Sequence, residues 1–87
     1  MTDEAKVVLY GTRFCPYCIA AKKLLKKKGT RYEDILVSTG EMRREIERRS
    51  GQRTVPQIFI NDKSIGGFDE LYGLEEDGLL DAMLQQP

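Results

Sequence analysis

Eighty-seven residues with fourteen basic and fourteen acidic side chains, two cysteines, no histidine and no tryptophan leave a short list of possible chemistries. The chain is too short for two ordinary domains and buries only about 60–65% of its unfolded surface, so any chemistry belongs in an open groove. Without histidine there is no Ser–His or Cys–His pair and no histidine metal site, and two cysteines cannot build a four-cysteine zinc site within one chain.

The expectation is one domain over residues 1–87, with a radius of gyration of about 12 Å. The net charge of zero conceals a polarised chain. Residues 1–28 carry seven bases and two acids, residues 29–54 six and five, and residues 55–87 one and seven. The basic cluster Lys22–Lys28 has no interleaved aromatics, so no nucleic-acid partner is expected.

Met1-Thr2-Asp3-Glu4-Ala5-Lys6 opens the chain with two acids and leads into only a short apolar run. A secretory signal needs a basic start and a longer apolar stretch, so none is expected. No segment approaches the roughly 20 apolar residues of a membrane span. The expected location is cytoplasmic, with no membrane partner. In that compartment structural disulfides are rare, and paired cysteines are more often catalytic or metal-binding.

Val7 to Tyr10 reads as a short, fully buried strand ended by Gly11. Cys15-Pro16 then opens a helix to about Lys28, with Cys18, Ala21, Leu24 and Leu25 at helical spacing and lysines opposite. Pro16 suits the first helical position, Gly29 the stop, and Lys26-Lys27-Lys28 the negative helix end. Tyr32 to Val37 reads as a second strand. Ser38-Thr39-Gly40-Glu41 has capping-box spacing and opens a charged helix to about Ser50, with Met42 and Ile46 as its buried candidates. Glu45 with Arg49, and Arg43 with Glu47, are spaced as ion pairs along it. Pro56 leads into Gln57–Ile60, Asn61-Asp62-Lys63 turns the chain, and Ser64 to Gly66 returns as a fourth strand. Phe68 to about Gln85 is helical, with a break near Gly73 or Gly78. The order β-α-β-α-β-β-α makes an α/β fold, a mixed sheet covered by helices.

Cys15-Pro16-Tyr17-Cys18 sits where a buried strand passes into a helix. Side chains three apart on a helix share a face, with Cβ atoms about 5–6 Å apart, and a disulfide needs nearer 4 Å, so slight adjustment closes the pair. Cys15 falls at the N-cap, where unsatisfied backbone N–H groups favour a thiolate. Cys18 lies a turn inside, on the buried face. The expected roles are Cys15 as nucleophile and Cys18 as resolving thiol. A structural disulfide here would restrain little chain, and a metal site would need two chains to pool thiolates. Redox chemistry is the reading that the position favours, with no resident metal.

With three motifs in order, the chain resembles the dithiol glutaredoxins of the small bacterial type over nearly its whole length. They are Cys15-Pro16-Tyr17-Cys18, Thr54-Val55-Pro56-Gln57-Ile58-Phe59-Ile60 and Gly66-Gly67-Phe68-Asp69-Glu70-Leu71. The resemblance implies a thioredoxin-like fold, a four-stranded mixed sheet flanked by helices, with glutathione bound beside Cys15. It implies a cis Pro56 facing the cysteines, with the backbone of Val55 turned outward to pair with an extended peptide, and it includes Thr54 in the same site. It places the γ-glutamyl end of glutathione at Gly67, Phe68 and Asp69, where helix-start N–H groups hold a carboxylate and Asp69 meets the ammonium. Tyr17 belongs to the same implied site. Thr12 stands where many family members have lysine, so the glycyl carboxylate needs another cation. Arg53 is the first choice, from its strand position beside the groove, and Arg13 the second. Phe68 replaces a third cysteine found in some relatives.

The implied activity is glutathione-dependent reduction of protein–glutathione mixed disulfides and protein disulfides by a monomer, with glutathione as co-substrate and no permanently bound cofactor. Two alternatives stand beside it. One is a dimer holding a [2Fe–2S] cluster with Cys15 and glutathione thiolates, which family members favour with a small residue in place of Pro16. The other is a glutaredoxin-like protein reduced by thioredoxin reductase.

Overall fold

The computed structural model describes residues 4–87; Met1, Thr2 and Asp3, part of the acidic start considered above, lie outside the described residues. The elements run β1 (Val7–Gly11), α1 (Pro16–Lys27), β2 (Glu33–Leu36), α2 (Gly40–Ser50), β3 (Gln57–Ile60), β4 (Lys63–Gly66), α3 (Phe68–Glu76) and α4 (Leu80–Gln85). The sheet order is β2-β1-β3-β4. β1 is parallel to β2 and antiparallel to β3, and β3 is antiparallel to β4. This is the four-stranded mixed sheet that the resemblance implied.

The apolar run of β1 has no polar alternation because it is an inner strand covered on both faces. On one face Val7 and Leu9 join Ile58 and Ile60 of β3 in a core with Ala21 and Leu25 of α1, Leu71 of α3, and Leu80 and Leu84 of α4. Leu9, Leu25, Leu71 and Leu80 are fully buried, each contributing about 1.5–3 kcal/mol by leaving water. The other face is thinner. There α2 supplies one buried residue, Ile46, and Tyr10 meets Phe59 edge to face at 5.6 Å.

Several local expectations change. β2 is shorter than Tyr32–Val37, an outer strand whose side chains are mostly exposed. The cap of α2 is Thr39, whose Oγ1 accepts from the Met42 N–H at 3.1 Å; the Ser38 hydroxyl is instead 3.8 Å from the Met42 sulfur. The helix begins one residue later than the Ser38–Glu41 spacing suggested, so that box does not form. Neither expected ion pair is present on α2. Glu45 pairs with Arg48, and Glu47 receives Arg53 from beyond the helix. Arg49 lies 4.3 Å over the Phe59 ring and donates to the Tyr10 hydroxyl at 3.3 Å. A planar cation covers a ring that so charged a helix could not otherwise shield.

Asn61 and Asp62 form a two-residue hairpin with φ of 52° and 67°, the left-handed pair that tight hairpins require. The last helical region breaks at Gly78, φ 72°, while Gly73 stays helical. Lys28 then clamps three elements, its ammonium lying 2.7 Å from Glu75 and 2.8 Å from Asp81. The radius of gyration is 12.3 Å. Among the described residues no helix is long and apolar enough to cross a membrane.

Candidate active site

β1 delivers the chain to Cys15. The loop after Gly11 ends with Cys15 extended, φ −115° and ψ 109°, at the N-cap of α1. Pro16 fills the first helical position, so the first turn loses no useful donor there. The Cys15 sulfur accepts the Cys18 backbone N–H at 3.2 Å, and its carbonyl takes the first helical bond, from Ile19, at 3.0 Å. A helix start thus donates directly to the sulfur, which is what a thiolate needs. Both cysteines are free thiols.

Cys18 is fully buried on the inner face of α1. Burial, reinforced by its contact with Cys15, pushes its thiol up from 9.0 to about 11. The two thiols differ in surroundings: Cys15, 9% exposed, lies at the helix start facing the Val55 carbonyl, and Cys18, 0% exposed, lies inside.

Facing Cys15 is the loop before β3. The Val55–Pro56 peptide bond is cis, and the Val55 carbonyl is 3.7 Å from the Cys15 sulfur. Behind the loop stands Gln57, fully buried at the start of β3. Its side-chain Nε2 donates to the Thr54 carbonyl and to Gln52 Oε1, each at 2.9 Å, and approaches Thr54 Oγ1 at 3.3 Å. Its own Oε1 is buried without a hydrogen-bond partner.

The third wall is the start of α3. Gly67 caps the helix, and a side chain there would press on the Pro56 carbonyl at 3.2 Å. Glu70 turns back so that its Oε1 accepts the Gly67 N–H at 2.7 Å. The amides of Phe68 and Asp69, in the first helical turn, have no intrahelical acceptor and form an anion-receiving end.

These walls enclose an open groove of about 280 Å³ lined by Tyr17, Thr54, Val55, Pro56, Gly67, Phe68, Asp69 and Glu70. Seven of the residues singled out in the sequence therefore meet in one place, beside Cys15. Arg13 and Arg53 do not line it. Arg53 lies in the loop before β3 rather than in a strand, is highly exposed, and pairs with Glu47 at 2.9 Å. Two contributors escaped the sequence reading. Glu70 belongs to the third motif, and its Gly-x-x-Glu spacing is the capping signal that could have found it. Gln57 was counted as a strand residue, although it is the polar exception in an otherwise apolar strand. A second groove of about 260 Å³, lined by Tyr10, Met42, Ile46 and Arg49 among others, lies on the α2 face and contains no thiol.

A dithiol at a strand-to-helix junction, opposed by a cis-proline loop on a β2-β1-β3-β4 sheet, defines a thioredoxin-like redox domain. The glutaredoxin family pattern matches residues 7–65. A curated glutaredoxin from Pseudomonas aeruginosa is 48% identical over 79 residues, covering 90% of this chain and 94% of its own. The solution structure of a glutaredoxin from Brucella melitensis superposes with a TM-score of 0.85 at 45% identity, covering 95% of this chain and 91% of the other. The crystal structure of a buckwheat glutaredoxin–glutathione complex does so with a TM-score of 0.85 at 37% identity, covering 92% and 76%. The chain belongs to the glutaredoxin family, whose members are thiol–disulfide oxidoreductases.

Proposed function

We propose that the chain reduces protein–glutathione mixed disulfides and protein disulfides at the expense of glutathione. The observation that carries this reading is the position of the Cys15 sulfur, 3.7 Å from the Val55 carbonyl, at the edge of a groove that ends in free helix-start amides. Glutathione has a peptide backbone to pair with Val55, a γ-glutamyl carboxylate for the Phe68 and Asp69 amides, and an ammonium for the Asp69 carboxylate. Tyr17 and Thr54 complete the walls. The glycyl carboxylate falls to Arg53, which must exchange Glu47 for the ligand, with Arg13 as the other candidate. An exposed ion pair is weak enough to be exchanged. The glutathione complex of the structural neighbour supports the same ligand.

In the first step the Cys15 thiolate attacks the glutathione sulfur of a mixed disulfide. A Cys15–glutathione bond forms, the protein–glutathione bond breaks, and the protein leaves as a thiolate that takes up a proton. The thiolate of a second glutathione then attacks the Cys15-bound glutathione sulfur, giving oxidised glutathione and the Cys15 thiolate. With a protein disulfide, Cys15 is first joined to the protein. Cys18 gives up its proton and attacks the Cys15 sulfur, releasing the protein thiolate and leaving a Cys15–Cys18 disulfide, which two glutathiones reduce. Sulfur exchange needs no further cofactor. The chain acts as a monomer in a reducing compartment, for which the cytoplasm is the natural choice.

Glutathione-coupled turnover of a small mixed disulfide tests the reading. Activity should persist in Cys18→Ser and vanish in Cys15→Ser. Equal loss in both variants overturns the roles, and efficient turnover with thioredoxin reductase in place of glutathione overturns the reductant.

A further inference from the structure

Three aromatic rings neighbour one another in succession, the first two in the groove. Tyr17 lies 6.3 Å from Phe68 at a tilt of 36°, and Phe68 lies 5.8 Å from Tyr72 at 31°. Phe68 and Tyr72 are four apart on α3, so their rings share a face. A small residue at position 68 would leave Tyr17 and Tyr72 as isolated rings. Tyr17 and Phe68 line the groove, whereas Tyr72 lies beyond it and is 46% exposed. A ligand the size of glutathione therefore leaves the outer ring uncovered.

The helix that carries Tyr72 is acidic, and the one cation paired to it among the described residues is Lys28, on Glu75. α3, with the sequence FDELYGLEE, carries no basic residue. Glu70 is engaged by the Gly67 N–H, and Glu75 by Lys28. Asp69 and Glu76 are exposed three residues before and four after Tyr72, on its side of the helix. Asp69 is committed to the glutathione ammonium in the reading above, which leaves Glu76 beside the outer ring. An open aromatic face next to an unengaged carboxylate suits a planar cation, which stacks on the ring and donates to the acid.

We infer that Tyr72, the ring next to Phe68 and flanked by Glu76, docks the protein half of the mixed disulfide and selects polypeptides with an arginine within about two residues of the glutathionylated cysteine. The inference rests on the glutathione reading of the groove. The inference takes the glutathione half to fill the site beside Cys15 and the polypeptide half to lie along the groove's outer edge, over α3.

The test compares glutathionylated peptides of one sequence bearing Arg, Gln, Glu or Phe beside the cysteine, scored by kcat/KM in the glutathione-coupled assay. The full chain should favour Arg over Gln about threefold to fivefold, and over Glu about tenfold. Tyr72→Ala should remove most of the preference for Arg over Gln, Tyr72→Phe should retain it, and Glu76→Gln should reduce it about twofold. A glutathione–mercaptoethanol mixed disulfide, with no side chain to reach Tyr72, should be turned over equally by all of these proteins. No preference among the peptides, a preference for Phe over Arg, or an equal loss on every substrate in Tyr72→Ala overturns the inference. Failure of the unaltered chain on the small mixed disulfide overturns the glutathione reading, and this inference with it.

Discussion

The side-chain amide of Gln57 donates to the Thr54 carbonyl at 2.9 Å, so a fully buried glutamine holds the exposed loop that faces Cys15. The same nitrogen reaches Gln52 Oε1 at 2.9 Å, tying the loop to the segment that follows α2. Gln57→Leu removes this donor and leaves the Thr54 carbonyl without it. The variant should lose about 1–2 kcal/mol in urea denaturation. Its KM for a glutathione mixed disulfide should rise several-fold with kcat nearly unchanged. An unaltered KM would show that the loop keeps its shape unaided.

Cys18 links redox chemistry to stability at alkaline pH. Its thiol is raised by burial from 9.0 to about 11. Between those values the folded chain keeps a proton that the unfolded chain has lost, so stability is intact below about pH 9 and falls as pH rises towards 11. Two pK units correspond to about 2–3 kcal/mol. Urea titrations across this range should show a steeper decline for the reduced parent than for Cys18→Ala. Parallel declines would assign the alkaline loss to other groups.

Gly66 has φ 108°, and a Cβ there would come within 2.8 Å of Glu70 Cγ and collide with its carboxylate. Gly66→Ala therefore adds backbone strain and displaces the acceptor of the Gly67 N–H. A loss of about 1–3 kcal/mol is expected, with weaker glutathione binding by calorimetry. Glu70→Gln, which keeps an oxygen acceptor, should bind glutathione more nearly as the parent does. If Gly66→Ala binds as tightly as the parent, the groove does not depend on this corner.

Arg53 and Glu47 make an opposing pair of predictions. Arg53→Ala should raise the KM for glutathione more than Arg13→Ala does, and the difference should shrink at high salt. Glu47→Gln frees the guanidinium from its 2.9 Å partner and should lower that KM. The reverse ranking of the two arginine variants would move the glycyl carboxylate to Arg13.

What was legible in the sequence is what local chemistry dictates. Cys15 could be placed at a helix start because Gly11 ends the strand before it and Pro16 fits only the first turn. Asn61-Asp62-Lys63 could be read as a turn because few side chains tolerate the backbone angles of its first two residues, although Lys63 already belongs to β4. What escaped depends on neighbours distant in sequence. Arg49 is spaced to pair with Glu45, yet Phe59 and Tyr10, brought close by the sheet, are better partners for its plane. Arg53 was legible as a cation near the groove, but not its loop position or its pairing with Glu47 of α2. The buried donor of Gln57 has meaning only once the Thr54 loop folds over it. Spacing reports a helix face reliably, and says little about which of several charges wins a contact.

Gly11 closes the space behind the buried thiol of Cys18: a Cβ at that position would lie 2.9 Å from its sulfur. A sulfur so enclosed has no room for a second polypeptide or a glutathione molecule, whereas Cys15 faces Val55 in the loop that lines the groove. Under the proposed roles, the order of events is then set by volume. In that proposal incoming disulfides are sorted to one sulfur, and the other is reserved for an intramolecular closing step. Widening that corner would trade a directed exchange for two competing ones, and mixed disulfides at Cys18 would become dead ends.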